Sequence, residues 1–276
     1  MAFSVNTNVG ALIALQSLNS TGRSLETVQN QINTGLKVAS AKDNGATFAI
    51  AQNLRADLGG LGAAKQSLDR GISVVDVALA AGQSVSDLLL QLKTKAVAAT
   101  DASLDTASRD ALNNDFKALR DQITSIVQNA SFNGLNLINS TAAQDVSAIV
   151  NADGTSTITV SAANLALSGV NVTLSAAEVI NTQTLATAVV TLLDSSIKNV
   201  NAALATFGVG ANKFQSQQTF VGKLSDVIEV GIGNLVDADL AKASAKLQAL
   251  QVKQQLGVQA LSIANRAPST ILGLFR

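Results

Sequence analysis

The sequence contains no cysteine and no histidine, and these absences remove most of the chemistry on which enzyme sites are built. Without cysteine, disulfides, thiol nucleophiles and thiolate metal sites are excluded. Without histidine, the chain lacks the commonest general base and the usual zinc ligand. Asp237 and Asp239 are two positions apart, on different faces of a helix, so they indicate a helix N-terminus rather than paired catalytic carboxylates. We therefore predict no catalytic residues, no metal and no cofactor.

Aromatic residues and proline are also scarce. Hydrophobic residues make up 47% of the chain but aromatics only 3%, and Pro268 is the single proline. The apolar content therefore comes from Ala, Val, Leu and Ile, which pack well in long helices and poorly build an aromatic-lined ligand pocket. Helices can run far without the lost hydrogen bond that proline imposes.

Charge of one sign is not in excess, because 19 basic residues balance 19 acidic ones. A balanced chain offers no basic stripe for a phosphate backbone, so we expect no nucleic-acid partner. Long uncharged stretches such as residues 154–177 are rich in Ser, Thr and Asn, so we expect no membrane insertion. No cleavable secretion signal is recognised, and a secreted protein would need another export route.

Apolar residues recur at spacings of three and four over most of the chain, which predicts long helices. The first series covers some 40 residues, about 60 Å of helix, and such a length indicates a rod rather than a globular domain. Three or more such helices, antiparallel to one another, would form a bundle. The three series are Leu61, Ala64, Leu68, Ile72, Val75, Leu79, Gly82, Val85, Leu89, Leu92 and Ala96; Leu112, Phe116, Leu119, Ile123, Ile126 and Ala130; and Leu193, Ile197, Val200, Leu204, Phe207, Ala211, Phe214, Val221, Leu224 and Ile228.

The pattern changes to period two between the second and third series. Residues 158–160 and 170–174 alternate and are rich in β-branched side chains, with Asp153-Gly154 ahead of them as a turn. We predict a small β element of one or two hairpins within residues 135–180.

The apolar spacing at both ends of the chain predicts amphipathic helices that carry few charges and tend to associate. Leu18, Leu25 and Ile32 recur every seven residues. Val236, Leu240, Ala243, Leu247 and Leu250 follow a heptad rhythm, which continues after a slip through Val252, Leu256, Ala260 and Ile263. The ends either pair with each other in one monomer or order only against neighbouring copies, and the pattern alone leaves both open.

Several motifs at the two ends resemble those of bacterial flagellins. At the front these are residues 5–8 (VNTN), 32–37 (INTGLK), 40–43 (SAKD), 49–51 (AIA) and 131–134 (SFNG). At the back they are residues 237–240 (DADL), 254–257 (QQLG) and 271–276 (ILGLFR). The resemblance covers about residues 1–140 and 185–276, and the short form is similar to alphaproteobacterial flagellins.

The resemblance implies a mainly α fold, a long antiparallel coiled-coil bundle with a small hairpin at one end and paired terminal helices. Residues 1–44 and 232–276 would form the inner-tube domain of a filament. Residues 45–231 would form the helical rod, with no large outer domains. It further implies export in the unfolded state through a type III channel, and partners that include other copies, an export chaperone, and hook-junction and cap proteins.

Two sets of site residues follow from this resemblance. The assembly contacts would be the apolar seam residues of both ends: Val5, Leu12, Leu15, Leu18, Leu25, Ile32, Leu240, Leu247, Leu250, Leu256, Ile263, Ile271, Leu274 and Phe275. The segment that a vertebrate toll-like receptor reads in many flagellins would correspond to Leu89, Gln91, Lys93 and Thr94. Lys93 and Thr94 stand at its Arg and Glu positions, and lysine replaces a bidentate guanidinium poorly, so we expect weak receptor activation.

Other functions compete with a filament subunit. A hook–filament junction protein would share the terminal architecture but would cap a filament rather than extend it by adding further copies. A secreted coiled-coil adhesin would also be rod-like, but would need a binding head or a membrane segment. A carboxylate-only enzyme would need a cavity with several convergent charges.

Overall fold

The structure is a computed structural model that describes the backbone of residues 7–139 and 144–272, and the side chains of these as far as residue 266. Five helices and one two-stranded sheet lie within these ranges, as the mainly α prediction requires. The helices are α1 (Val9–Thr34), α2 (Gly45–Ala99), α3 (Thr106–Asn129), α4 (Gln183–Val236) and α5 (Leu240–Leu272). The strands β1 (Val146–Ile149) and β2 (Thr157–Val160) are antiparallel.

The chain divides into two compact units. Unit 1 comprises Met1–Ala56 and Val227–Arg276, and unit 2 is Asp57–Asp226. The boundaries expected from the sequence, 44/45 and 231/232, assign fewer residues to the terminal unit than this division does. The two boundaries between the units fall inside α2 and α4, because each of these helices begins in one unit and ends in the other.

Unit 2 is a bundle of α2, α3 and α4 around a filled apolar core. Antiparallel α2 and α4 meet at Gly82 and Leu204, and again where the Ser86 hydroxyl donates to Asn201 Oδ1 at 3.4 Å. The core contains large side chains with almost no exposed surface, and each contributes roughly 1.5–3 kcal/mol of burial. These include Leu68, Leu89, Leu92, Phe116, Ile123, Phe207 and Phe214.

The β1–β2 hairpin packs on helical glycines of unit 2. A Cβ atom at Gly210 would lie 2.7 Å from Val160 Cγ2, and one at Gly60 would overlap Ala152 O. The Ser67 hydroxyl accepts a hydrogen bond from Ile149 N at 3.1 Å. Glycine at these helix positions therefore makes room for the Val160 side chain at Gly210 and for the backbone of Ala152 at Gly60.

Residues 170–174 do not form a second hairpin. Leu167 and Val172 make only an isolated bridge. Val172 and Leu174 are buried, and Thr173 N donates to the hydroxyl of Ser196 on α4 at 3.0 Å. The residues alternate because one side of this extended segment packs on helices. The Ser196 side chain accepts the backbone hydrogen bond that a neighbouring strand would otherwise accept.

The helix α2 is long and apolar enough to meet a simple compositional test for a membrane span. In its most apolar window 44% of the residues are buried inside the protein. Core helices pass the same test, so the composition of α2 reflects its place in the bundle.

Candidate assembly surface of the terminal helices

Within unit 1, the helices α1 and α5 form an antiparallel pair. Near the start of α1, the amide of Asn8 donates to Ala264 O at 2.7 Å. A Cβ atom at Gly257 would lie 3.2 Å from Leu18 Cδ1. At the other end, Leu36 bridges Asp237. These three contacts fix one register along the whole pair.

Side-chain capping fixes where the two terminal helices begin. Asn8 Oδ1 accepts from Ala11 N at 3.1 Å at the start of α1, and Gly35 ends the helix with φ of 71°. Asp239 Oδ1 accepts from Lys242 N at 3.0 Å at the start of α5. This carboxylate lies at a helix N-terminus, as its sequence position indicates.

The chain crosses between neighbouring helices of unit 1 through short hydrogen-bonded loops. Lys37 N donates to Val236 O at 2.6 Å, and Ala238 N donates to Gly35 O at 2.8 Å. Asp43 Oδ2 accepts from Ser40 N and from the Ser40 hydroxyl at 2.9 and 3.1 Å, so this carboxylate organises its loop. Beneath the loops, Val38, Ala51, Ile232 and Val236 form a small buried cluster.

The seam between α1 and α5 is thin. In α1 its positions are spaced by three and four, and only Thr21 and Val28 are buried. In α5 only Ala243 is buried among the described side chains. The remaining seam residues are half-buried: Ala11, Ala14, Leu18, Leu25 and Ile32 on α1, and Leu247, Leu250, Gly257, Leu261 and Ala264 on α5.

The slip expected from the sequence in α5 does not occur. The heptad continues from Leu250 through Gln254, Gly257, Leu261 and Ala264, although Gln254 is exposed. The spacing of apolar residues did not indicate this continuation, because Gly257 and Ala264 are small and Gln254 is polar. Val252, Leu256 and Ile263 instead lie on the opposite, outward face, where they are 56%, 59% and 72% exposed.

The helix α1 also presents apolar side chains outward, near its start. Val9, Leu12, Ile13 and Leu15 are 44–62% exposed. An open groove of about 400 Å³ lies beside them, lined by Asn8, Ala11, Leu12, Leu15 and Leu261. Exposed apolar residues of this size, clustered rather than scattered, indicate a protein contact surface.

The expected assembly residues therefore fall into three groups. Five lie in the intramolecular seam: Leu18, Leu25, Ile32, Leu247 and Leu250. Another five are exposed: Leu12, Leu15, Leu240, Leu256 and Ile263. Val5, Leu274 and Phe275 lie outside the described residues, as does the side chain of Ile271. The assembly contacts expected from the sequence did not include Val9, Ile13 and Val252, although these residues are apolar, exposed and outside the seam.

The expected receptor segment lies on α2 in unit 2. Leu89 is fully buried in the bundle core, whereas Gln91 and Thr94 are exposed. Lys93 Nζ lies 2.5 Å from Asp194 Oδ1, in an ion pair with α4. Of these four positions, Leu89 is therefore buried away from a binding partner and Lys93 is already paired.

Acidic and basic side chains do not gather into a metal-ligating group anywhere in the described residues. Ion pairs there lie at the surface, as in Lys95 with Asp115 at 2.7 Å, or involve Arg120 with its neighbour Asp121 at 2.9 Å. Arg120 also donates to Glu178 O at 2.9 Å, so its guanidinium fixes the segment before α4.

Comparison with known proteins agrees with this architecture. The bacterial flagellin N-terminal helical region matches residues 5–143, and the bacterial flagellin C-terminal helical region matches residues 190–275. Flagellin FljM of Caulobacter vibrioides is 52% identical over 273 residues, which is 99% of this chain and 98% of that protein. A flagellin of Brucella melitensis is 38% identical, with 99% of each chain covered.

Solved structures share the fold at low sequence identity. The Bacillus cereus flagellin crystal structure gives a TM-score of 0.51 at 22% identity, over 56% of this chain and 88% of that one. A Vibrio parahaemolyticus structure described as a flagellar hook-associated protein gives 0.59 at 14%, over 71% and 100%. The fold is thus common to filament and hook-associated proteins, but the full-length sequence matches favour the filament. The chain belongs to the bacterial flagellin family and is a structural subunit of the extracellular flagellar filament.

Proposed function

We propose that the outward apolar residues of α1 and α5 are the contacts through which the terminal pair polymerises. The observation that carries this proposal is the stripe of Val252, Leu256 and Ile263 on α5, which has no partner among the described residues. At 100° per residue these three positions lie within about 40° of one line along the helix. Burial of such apolar area contributes about 25 cal/mol per Å².

The groove beside α1 is the complementary surface on another copy. It is lined by Leu12, Leu15 and Leu261, and Leu12 and Leu15 are 57% and 44% exposed. A stripe on one copy that enters a groove on the next makes a heterologous contact, which leaves a free stripe at one end of the assembly and a free groove at the other. Growth can therefore continue without closing.

The half-buried seam residues have a different role in this proposal. Leu18, Leu25, Ile32, Leu247 and Leu250 hold α1 against α5 and so present the stripe and the groove in one orientation. Val5, Leu274 and Phe275 and the side chain of Ile271 lie outside the described residues, and we propose them as further assembly contacts.

A substitution in the stripe tests the outward contacts without disturbing the seam. Leu256→Asp places a carboxylate at an exposed position, so the monomer should keep its helical content by circular dichroism. We expect seeded filament growth, followed by light scattering and electron microscopy, to be abolished. Gln251→Asp is the matched control, because it adds the same charge at an exposed position about 140° around the helix from Leu256. Normal growth of Leu256→Asp would contradict the proposal.

A substitution in the seam should act through the pair itself. Leu250→Asp removes a half-buried apolar side chain of α5, so it should loosen α1 and α5 while unit 2 stays folded. We expect no filaments and faster proteolysis of both terminal helices. Filaments of normal length from this variant would show that the seam does not organise the assembly surface.

We also propose that the chain is exported unfolded through the flagellar type III channel, with an export chaperone, and meets hook-junction and cap proteins at the filament ends. The absence of cysteine and the scarcity of bulky aromatics suit threading and refolding without oxidation. Deletion of the first residues before Val9 should stop secretion while the protein accumulates in the cell. Undiminished secretion of that deletion would contradict this export route.

Weak recognition by the vertebrate flagellin-sensing toll-like receptor completes the proposal. Leu89 is buried, Lys93 is paired with Asp194, and Thr94 lacks a charge where many flagellins carry Glu. We expect a reporter-cell response well below that of a standard flagellin at equal concentration. An equal response would overturn this part.

A further inference from the structure

The outward face of α4 in unit 2 carries lysines and apolar residues but no acid. It is named here the basic face, and at 100° per residue its positions lie within about 40° of one line. Val209 and Phe220 on it are each 56% exposed. Among the described residues, none of its three lysines lies within 4.0 Å of a carboxylate. The face consists of Lys198, Ala202, Ala205, Val209, Lys213, Ser216, Phe220 and Lys223.

The outward face of α2 has the opposite charge and a similar apolar content. It is named here the acidic face, with Asp76 and Asp87 as its charges, and Leu90 and Val97 are 49% and 48% exposed. The nearby Lys93 and Lys95 are held by Asp194 and Asp115, so they do not neutralise it. The face consists of Asp76, Ala80, Gln83, Asp87, Leu90, Thr94 and Val97.

Within one copy the two faces do not meet. The helices α2 and α4 contact each other through other positions, such as Gly82 with Leu204 and Ser86 with Asn201. Asp87 accepts only from Gln83 on its own helix, at 3.3 Å, among the hydrogen bonds of the described residues. Both faces are therefore open to another molecule.

The spacing along the two faces is complementary in an antiparallel register. With Leu90 opposite Val209, Asp76 comes opposite Lys223 and Asp87 opposite Lys213, to within one residue. The same register places Ala80 opposite Phe220, Gln83 opposite Ser216, Thr94 opposite Ala205 and Val97 opposite Ala202. A shift by one heptad in either direction removes both charge pairs, so charge and apolar spacing select the same alignment.

We propose that the acidic face of α2 binds the basic face of α4 on a second copy of this chain. The inference rests on the polymerisation proposed above and names a second contact, in unit 2. Opposite charges on matching faces favour this docking and penalise like-charged ones. Because each copy carries both faces, the contact is heterologous and repeats from copy to copy.

Charge reversal tests the contact in the full-length chain. Asp87→Lys and Lys213→Asp each place like charges opposite one another, and both positions are exposed, so each monomer should fold normally. We expect each variant alone to need about tenfold more protein for seeded growth than the unchanged chain. An equimolar mixture should grow at the normal protein concentration. In the mixture the lysine introduced at position 87 of one variant can face the aspartate introduced at position 213 of the other, and the unchanged Asp87 and Lys213 can face each other as well. Asp110→Lys, an exposed acid on α3, is the matched control and should grow normally.

The outcomes separate this contact from the terminal one. If both reversals assemble like the unchanged chain, or if the mixture does not recover, the proposed contact is wrong while polymerisation through α1 and α5 stands. If the unchanged chain itself forms no filament on seeds, the proposed function fails first. Recovery in the mixture, with both variants in the same filaments, supports the contact when Asp110→Lys grows normally, because that control carries the same net charge as Asp87→Lys and so excludes a general effect of net charge.

Discussion

The two compact units bury their apolar residues to very different degrees. Unit 2 encloses phenylalanines and leucines such as Phe116, Phe214 and Leu92 with no exposed surface. Along the α1–α5 pair of unit 1, the described buried side chains are Thr21, Val28 and Ala243, and large apolar residues point outward. A bundle of three helices and a hairpin completes its own core, whereas two paired helices leave half of each surface unused. Unit 2 therefore has a core of its own, and we propose that neighbouring copies cover the outward face of the terminal pair.

Removing a core aromatic of unit 2 should have the largest effect on the monomer. Phe214→Ala leaves a cavity beside Gly71, so we expect the free energy of unfolding of unit 2 to fall by about 3–5 kcal/mol. Urea unfolding followed by circular dichroism measures this loss. A loss below about 1 kcal/mol would mean that the core is less filled than its burial indicates.

The second-largest effect on stability is expected from a substitution that fills the space between the hairpin and α2. Gly60→Ala would drive a Cβ atom into Ala152 O, a backbone atom that cannot move alone, so we expect a loss of about 1–3 kcal/mol in the same unfolding assay.

Gly62→Ala is the control, because it lies on the same helix with nothing within 4 Å of a Cβ atom. This change should stabilise the protein by about 0.5–1 kcal/mol through helix propensity. Equal effects of the two substitutions would show that the hairpin does not lie against Gly60.

A substitution that adds apolar area to the α1–α5 seam should reduce the difference in stability between the two units. Thr21 is buried in the α1–α5 seam, and its hydroxyl donates only to Ser17 O on its own helix, at 2.9 Å. Thr21→Val replaces that hydroxyl with a methyl group, so we expect the pair to gain about 1 kcal/mol. Slower amide exchange along α1 and α5 in the monomer, with unit 2 unchanged, would record it. Faster exchange would mean that the hydroxyl is needed in the seam.

The smallest expected effect is the response of unit 2 to acid at the start of α3. Hydrogen bonds from the Ser108 hydroxyl and backbone N–H to the Asp105 carboxylate hold its pKa below its usual 3.8. Because the folded-state pKa is depressed, this stabilisation is present above pH 3.8 and is lost as the pH falls through the lower folded value. The midpoint of thermal unfolding should therefore drop slightly in this window.

Asp105→Asn keeps an oxygen that can cap α3 but does not titrate. The unfolding midpoint of this variant should thus depend less on pH below 3.8 than that of the unchanged chain. Identical pH profiles would show that the cap contributes nothing to the acid response.

Much of unit 2 could be predicted from the sequence, because its large side chains report its packing directly. The series through Leu68, Leu89 and Phe214 placed the central parts of α2 and α4, since three-and-four spacing of bulky residues has no other common explanation, but both helices are longer than the series. Residues 170–174 misled because an extended segment on helices alternates like a strand. The group that decides between the two cases is the Ser196 hydroxyl, which accepts from Thr173 N and is distant in sequence.

The terminal pair could be predicted less fully. Its seam in α5 continues through Gln254, Gly257 and Ala264, which carry no apolar signal, while Leu256 and Ile263 suggested a shifted seam that the fold turns outward. Apolar spacing alone cannot distinguish a face buried within the chain from one reserved for another copy. The assembly contacts could thus be proposed from the sequence, but not divided into seam and surface.

Hydrogen exchange of monomer and filament tests the central claim most directly. In the monomer we expect amides of α1 and α5 to exchange orders of magnitude faster than those of α2 and α4 around Leu92 and Phe207. In the filament both sets should be protected, so the change on assembly should be concentrated in the terminal helices. Equal, strong protection of α1 and α5 in the isolated monomer would contradict the account, because the pair would then be complete without its neighbours.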